Sequence, residues 1–178
     1  MTTAAPRREQ LLDAAADLFS ARGYHAVGID DIGEAAGITG PGVYRHFASK
    51  QALLETLVDR ALDRMLGLAE HAPDLDTLVD LHVRFVTEEQ SLVRVWVREH
   101  SSLTGDVAHS LRVRMRRYEE VWIGVVAPRR PDLDPHRLAL LTRSVLAMLN
   151  TTSLIDSPLP AGDRCEVLGR LTRAALQA

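Results

Sequence analysis

Between residues 39 and 50 the chain places a hydroxyl, a phenol, a guanidinium, an imidazole and an ammonium: Thr39, Tyr44, Arg45, His46 and Lys50. These groups donate hydrogen bonds to phosphate oxygens and to the acceptor edges of bases, and they do not form a nucleophile with its base. An arginine can reach O6 and N7 of guanine with paired hydrogen bonds, which makes Arg45 the candidate for direct base readout. Thr39 can cap a helix or donate to phosphate, and Lys50 can close a phosphate grip from the start of the next helix. Tyr44 has two options, a phosphate contact through its hydroxyl or inward packing of its ring. Gly40 and Gly42 each cost about 1 kcal/mol relative to alanine in a short helix, and Gly42 gains close approach of backbone to DNA.

The elements that must position these groups are legible from spacing. Ile29, Ile32, Ala35 and Ala36 share one face of a 3.6-residue period, and Asp30 and Asp31 sit in the first turn, where the helix dipole favours carboxylates. The Asp30 carboxylate would either repel phosphate or accept from cytosine N4. Gly37 supplies a left-handed helix end, Thr39 an N-cap, and Pro41 a first-turn residue whose missing N–H costs nothing. Val43 and Phe47, one helical turn apart, face inward and leave Tyr44, Arg45 and His46 outward on a stub of about two turns. The stretch GIDDIGEAAGITGPGVYRHF, residues 28–47, therefore reads as a helix-turn-helix. Before it, Leu11, Leu12, Ala15, Leu18 and Phe19 form the apolar stripe of a bracing helix over 7–21. After it, apolar pairs from Leu53-Leu54 to Met65-Leu66 predict a helix over 50–70, about 30 Å long, able to connect a head to a separate body.

Residues 7–66 resemble the DNA-binding region of the tetracycline-repressor (TetR) family of transcriptional regulators. The resemblance rests on Ala14-Ala15, Leu18-Phe19, Arg22-Gly23-Tyr24, Asp31-Ile32, Ala35-Ala36-Gly37-Ile38, Val43-Tyr44-Arg45-His46-Phe47 and Ser49-Lys50-Gln51-Ala52-Leu53-Leu54. It implies that Tyr44 meets backbone phosphate, that Arg7 and Arg8 lie near a phosphate or the minor groove, and that the partner is double-stranded operator DNA. The DNA-binding residues it points to are Thr39, Gly42, Tyr44, Arg45, His46 and Lys50.

The remainder reads as helices throughout, giving an all-α chain: a three-helix DNA-binding domain over 1–48 and a helical effector-binding and dimerisation domain over 49–178. Leu78, Leu81, Phe85 and Val86 mark one body helix, and Leu92, Val95 and Trp96 the next. Leu111, Met115, Tyr118 and Trp122 form a stripe on a third, whose other face carries Arg112, Arg116 and Arg117. Three prolines between Ala127 and Pro135 interrupt the pattern. Helices over 136–156 and 163–177 follow, with Asp163 opening the last. The resemblance implies a small-molecule pocket among the middle helices, for which Phe85, Trp96, His100, Tyr118, Trp122, Met148 and Asn150 are candidates. It also implies a homodimer formed by the last two helices as a twofold four-helix interface, in keeping with their wide apolar faces.

Composition narrows the field further. A net charge of −3 argues against general affinity for nucleic acid, so any DNA contact is local. In the first fifty residues Arg7, Arg8, Arg22, Arg45 and Lys50 are offset by carboxylates. Cys165 is the only cysteine, which excludes an intrachain disulfide and a multi-cysteine metal site. No run approaches the length of a membrane span, so the cytoplasm is the expected compartment. The glycines at 37, 40 and 42 fit neither the dinucleotide fingerprint nor the P-loop, and no catalytic constellation, cofactor motif or metal motif is present. The expected function is a ligand-responsive transcriptional regulator, a repressor released from its operator by a small, largely apolar effector. A helical enzyme or carrier, and an activator or architectural DNA binder, are the alternatives.

Overall fold

The computed structural model describes residues 6–177, so most of the N-terminal arm read from Met1 to Pro6 lies outside the described residues. These residues form nine α-helices and no strand: α1 Arg7–Arg22, α2 Ile29–Ala35, α3 Gly40–Val43, α4 Lys50–Glu70, α5 Leu75–Glu88, α6 Gln90–Glu99, α7 Gly105–Val126, α8 Pro135–Thr151 and α9 Ala161–Gln177. The expected all-α architecture is present, with differences at element ends. Pro135 is the first residue of α8 rather than part of the break, because an N1 proline lacks only a hydrogen bond that no helix makes there. Asp134 caps that helix, its carboxylate accepting from the N–H groups of His136 and Arg137. α8 ends at Thr151 and a 3-10 turn runs to Leu154, while α9 begins two residues before Asp163.

The helix-turn-helix forms because its turn is closed by backbone alone. Gly37 adopts φ +71°, Ile38 N–H donates to Gly33 O at 2.8 Å, and Gly37 N–H donates to Glu34 O at 3.0 Å, which is the Schellman pattern of a left-handed helix end. α2 and α3 cross at Gly33. A Cβ there would lie 2.9 Å from Ile38 O and 3.0 Å from Gly40 N, both backbone atoms that cannot swing aside. α3 itself is a single regular turn, shorter than the two turns expected. The chain keeps coiling through His46 N–H to Val43 O and Phe47 N–H to Val43 O, at 2.9 and 3.1 Å, so the outward fan of side chains survives.

α4 is the spine. Ser49 caps it, its hydroxyl accepting from Ala52 N–H at 3.0 Å, and Leu53, Leu54, Leu57, Val58, Ala61, Leu62, Met65 and Ala69 are buried along it. α4 packs against α1, α5, α6 and α7, and α5 against α9. The head is not a separate body joined by this one helix, as its length had suggested. α1 also packs directly on α6, and a single cluster of buried apolar side chains runs from Leu11 in α1 to Leu176 in α9. Arg98 of α6 donates to Ser20 O at 2.9 Å, and Arg60 of α4 lies 3.0 Å from Asp13 and 3.1 Å from Glu9.

One polar island interrupts the body core. His82 of α5 is 2 % exposed and lies between Tyr118 of α7, whose hydroxyl is 2.7 Å from Nδ1, and Asn150 of α8, whose Oδ1 is 3.2 Å from Nε2. The amide oxygen can only accept, so Nε2 carries the proton and the Tyr118 hydroxyl donates to Nδ1, a neutral imidazole with both nitrogens satisfied. The Trp122 ring meets the His82 ring edge-on at 5.6 Å. Burial lowers the His82 pKa from 6.5 to about 4 and pushes the Tyr118 hydroxyl up.

Gly33→Ala should lower stability by about 1–3 kcal/mol, because the added methyl meets backbone. Gly37→Ala should cost about 1–2 kcal/mol for the left-handed conformation. Gly124→Ala in α7, where a Cβ meets nothing within 4 Å, should instead stabilise by about 1 kcal/mol; urea unfolding midpoints of the three variants give the order. For His82, the unfolded chain takes up a proton as pH falls below 6.5 and the folded chain does so only near 4, so its contribution to stability is complete above 6.5 and is lost on the way down to 4. The loss amounts to about 3 kcal/mol. Unfolding at pH 7, 5.5 and 4.5 should show a shallower dependence for His82→Gln than for the parent, and equal slopes would contradict the assignment.

Candidate nucleic-acid interface and effector cleft

Val43 and Phe47 are buried, at 0 % and 4 % exposure, and lock α3 and its continuation against the head. Tyr44 is 56 % exposed, and Arg45 and His46 stand exposed beside it. The phenol ring therefore does not pack inward. Thr39 occupies the N-cap position without using its side chain as a cap, so its exposed hydroxyl belongs to the same outward face. Gly42 is half-buried, and a Cβ there would press on Ile38 Cδ1 at 3.3 Å. Its missing side chain thus accommodates Ile38 as well as keeping the surface flat.

Two carboxylates near this face have neighbours within the head itself. Asp31 accepts from Gly28 N–H at 2.7 Å. Asp30 lies against Gly40, where any side chain would run into its carboxylate, so its neighbour is the start of α3. This supplies an intramolecular reason for the Asp30–Gly40 pair that sequence spacing did not reveal.

Lys50 is reassigned. Its Nζ donates to Tyr24 O at 3.0 Å and Val27 O at 2.8 Å and sits 4.4 Å from the centre of the Tyr24 ring, so the half-buried side chain pins the loop between α1 and α2. Two of its three N–H groups are spent on carbonyls, which removes it from the freely presented set. Arg7 and Arg8 are exposed but also have partners within the head. Arg7 donates to Ala36 O at the carbonyl end of α2, and the Arg8 guanidinium lies 4.7 Å from the centre of the Phe47 ring. Of the expected groups, those that stand outward with no side-chain partner among the described residues are Thr39, Tyr44, Arg45 and His46.

In the body, the largest of the clefts beside the polar island has a volume of about 520 Å³ and opens between α6, α7 and α8, bounded by Trp96, Leu103, Leu111, Met115, Arg112 and Arg116. A narrower extension of about 240 Å³ shares its Trp96, His100, Met115, Glu119 and Arg143 walls and ends at Tyr118 and Asn150. His100 stacks on Trp96 with ring centres 4.6 Å apart and holds its orientation through Nδ1 and Trp96 O, 2.7 Å apart. The structure thus gathers Trp96, His100, Tyr118 and Asn150. It does not bring the other candidates there: Phe85 borders a separate groove between α4 and α5, Trp122 is wholly buried core, and Met148 is half-buried against the core outside both recesses. Helical periodicity marks a side chain as inward without saying which helix it meets. The arginines at the cleft mouth escaped for the opposite reason, being on the polar side of the α7 stripe.

Among the described residues no group of histidine, cysteine and carboxylate side chains could hold a metal ion, and no helix is long and apolar enough to cross a membrane. Residues 11–57 match the model for bacterial regulatory proteins of the tetR family, and residues 71–154 match that for a tetracyclin repressor-like C-terminal domain. Similar curated proteins include the HTH-type transcriptional activator FasR of Mycolicibacterium smegmatis, 26 % identical over 150 residues that cover 80 % of this chain and 68 % of the relative. The HTH-type transcriptional repressor KstR2 of Rhodococcus jostii is 29 % identical over 129 residues, 67 % of this chain and 63 % of the relative. The chain therefore spans about two thirds of the length of these relatives, which are regulators of transcription and not enzymes. The fold is also that of AibR, solved in complex with isovaleryl coenzyme A and operator DNA, with a TM-score of 0.77 at 20 % identity over 93 % of this chain and 97 % of that one. With both models matched in their order along the sequence and the whole helical arrangement shared, the chain belongs to the TetR family of bacterial regulatory proteins.

Proposed function

We propose that this chain works in the cytoplasm as a homodimeric, ligand-responsive repressor: residues 1–48 present operator-reading groups, and residues 49–178 bind an effector and pair two copies. The observation that carries the reading is the single exposed face holding Thr39, Tyr44, Arg45 and His46, with Val43 and Phe47 locked beneath it. Arg45 reads a base, while Thr39 and Tyr44 meet phosphates. Charge on each head is modest, and twofold pairing doubles it across two major grooves about 34–36 Å apart, or a multiple of that spacing.

Support for pairing comes from the apolar residues left exposed on the last two helices, Leu140 of α8 at 68 % and Val167 and Leu171 of α9 at 53 % and 48 %. Surfaces of this kind gain by burial against a second copy. The effector cleft lies between α6, α7 and α8, and its walls of Trp96, Leu103, Leu111 and Met115 suit an apolar body. α6 is also the helix whose Arg98 grips α1. A ligand that binds better to one arrangement of α6 and α4 than to the other shifts the population of head spacings, and this differential affinity releases the operator. KstR2 is a repressor and FasR an activator; a reporter fused to the promoter beside the coding sequence, measured with and without the regulator, decides the direction.

Operator fragments selected from a random DNA pool should carry two half-sites. Against the selected sequence, Arg45→Ala should weaken binding by about 1–3 kcal/mol and relax preference at one base position per half-site; uniform weakening across sequences would make Arg45 a phosphate contact. Leu140→Arg combined with Leu171→Arg should shift sedimentation from dimer to monomer and weaken operator binding, and an unchanged dimer would move the interface elsewhere.

A further inference from the structure

We propose that the effector accepted by the cleft is an organic anion, with an apolar body and an acidic head held by Arg112 and Arg116; this rests on reading the cleft as the effector site. α7 carries four arginines between residues 112 and 117, and their fates differ. Arg114 is neutralised by Asp59 and Asp63 of α4, each 3.1 Å away, and Arg117 lies 3.1 Å from Glu70. Arg112 and Arg116, one turn apart, overlook the cleft and have no hydrogen-bond or ion-pair partner among the described residues. Arg143, from α8 on the far wall, lies 2.8 Å from Glu119. The cleft lining thus holds three arginines against one carboxylate, with two guanidinium groups unmatched.

The surroundings give this imbalance a ligand's shape. Below the two free guanidinium groups the walls are Leu103, Leu111, Met115 and Trp96, a surface that takes hydrocarbon and makes the field of the arginines stronger than it would be over a hydrated face. Guanidinium groups bind carboxylate and phosphate through paired N–H donors, and two arginines one turn apart on a helix can converge on one such group. A neutral ligand of the same size would leave both charges hydrated and gain only the apolar contact. Carboxylate and phosphate share the chemistry that this site recognises.

Matched probes test the proposal by calorimetric titration of the full chain: octanoate, octyl phosphate and methyl octanoate, which offer one hydrocarbon body with and without charge. The anions should bind at least about tenfold more tightly than the ester, the difference expected for one charged hydrogen-bonded pair. Preference for one anion over the other supports the proposal and identifies the head group. Arg112→Gln with Arg116→Gln should bring the anions down to the level of the ester, with the ester and operator affinities unchanged, whereas Arg117→Gln, the same kind of charge change outside the cleft, should keep the preference. Equal binding of anions and ester by the parent protein, no binding of any probe, or loss of the preference in Arg117→Gln would overturn it. Operator binding, measured on the same samples, reports separately on the regulator reading: if the parent protein binds its selected operator while the probes fail, the anion proposal alone falls.

Discussion

The exposed face at residues 39–46 depends on how closely two pieces of backbone approach at Gly33. The carbonyl of Ile38 and the amide of Gly40 sit where a Cβ of residue 33 would be, so α2 and the turn after it touch without an intervening side chain. That contact, with the Schellman closure at Gly37, fixes the angle at which α3 leaves. A one-turn helix has little stability of its own, since few of its hydrogen bonds are internal. It therefore takes its orientation from this crossing and from Val43 and Phe47 buried beneath it. The exposed Tyr44, Arg45 and His46 are consequences of a rigid support, which is what recognition of a groove requires.

The rest of the head uses its charges to hold itself together. Lys50 ties the loop before α2 to the start of α4, Arg7 caps the far end of α2, and Arg60 and Arg98 bind α1 to α4 and α6. Most of these bonds end on main-chain carbonyls, which hold their place more firmly than a mobile surface carboxylate would. Because α1 is gripped by both α4 and α6, a shift of either body helix reaches the head through direct contact. The contact between body and head is thus direct.

The body shows a different economy of polar groups. His82, Tyr118 and Asn150 satisfy one another in the core at the inner end of the cleft extension, while Trp122 Nε1 beside them is buried with no hydrogen-bond partner among the described residues. At the opposite end, Arg112 and Arg116 have no partner among the described residues and lie over an apolar wall. The cleft and its extension thus end on mutually satisfied groups at one side and on unmatched guanidinium groups at the other.

The sequence alone determined the helices, their order and the outward set at residues 44–46, because these rest on short-range rules: apolar period, the left-handed glycine at 37, and Val43 and Phe47 one turn apart. It was also enough for the family, since the motif of the head is compact and continuous. The inward turn of Lys50 depends on carbonyls 23 and 26 residues away, and the grip of Arg98 on α1 spans 78 residues. The placing of Phe85 and Trp122 outside the cleft, and of Arg112 and Arg116 at its mouth, likewise waited for the packing of α4 to α8. Periodicity says which side of a helix faces in; only the tertiary structure says what it faces, because partners far apart in the chain are joined by packing that no local spacing encodes.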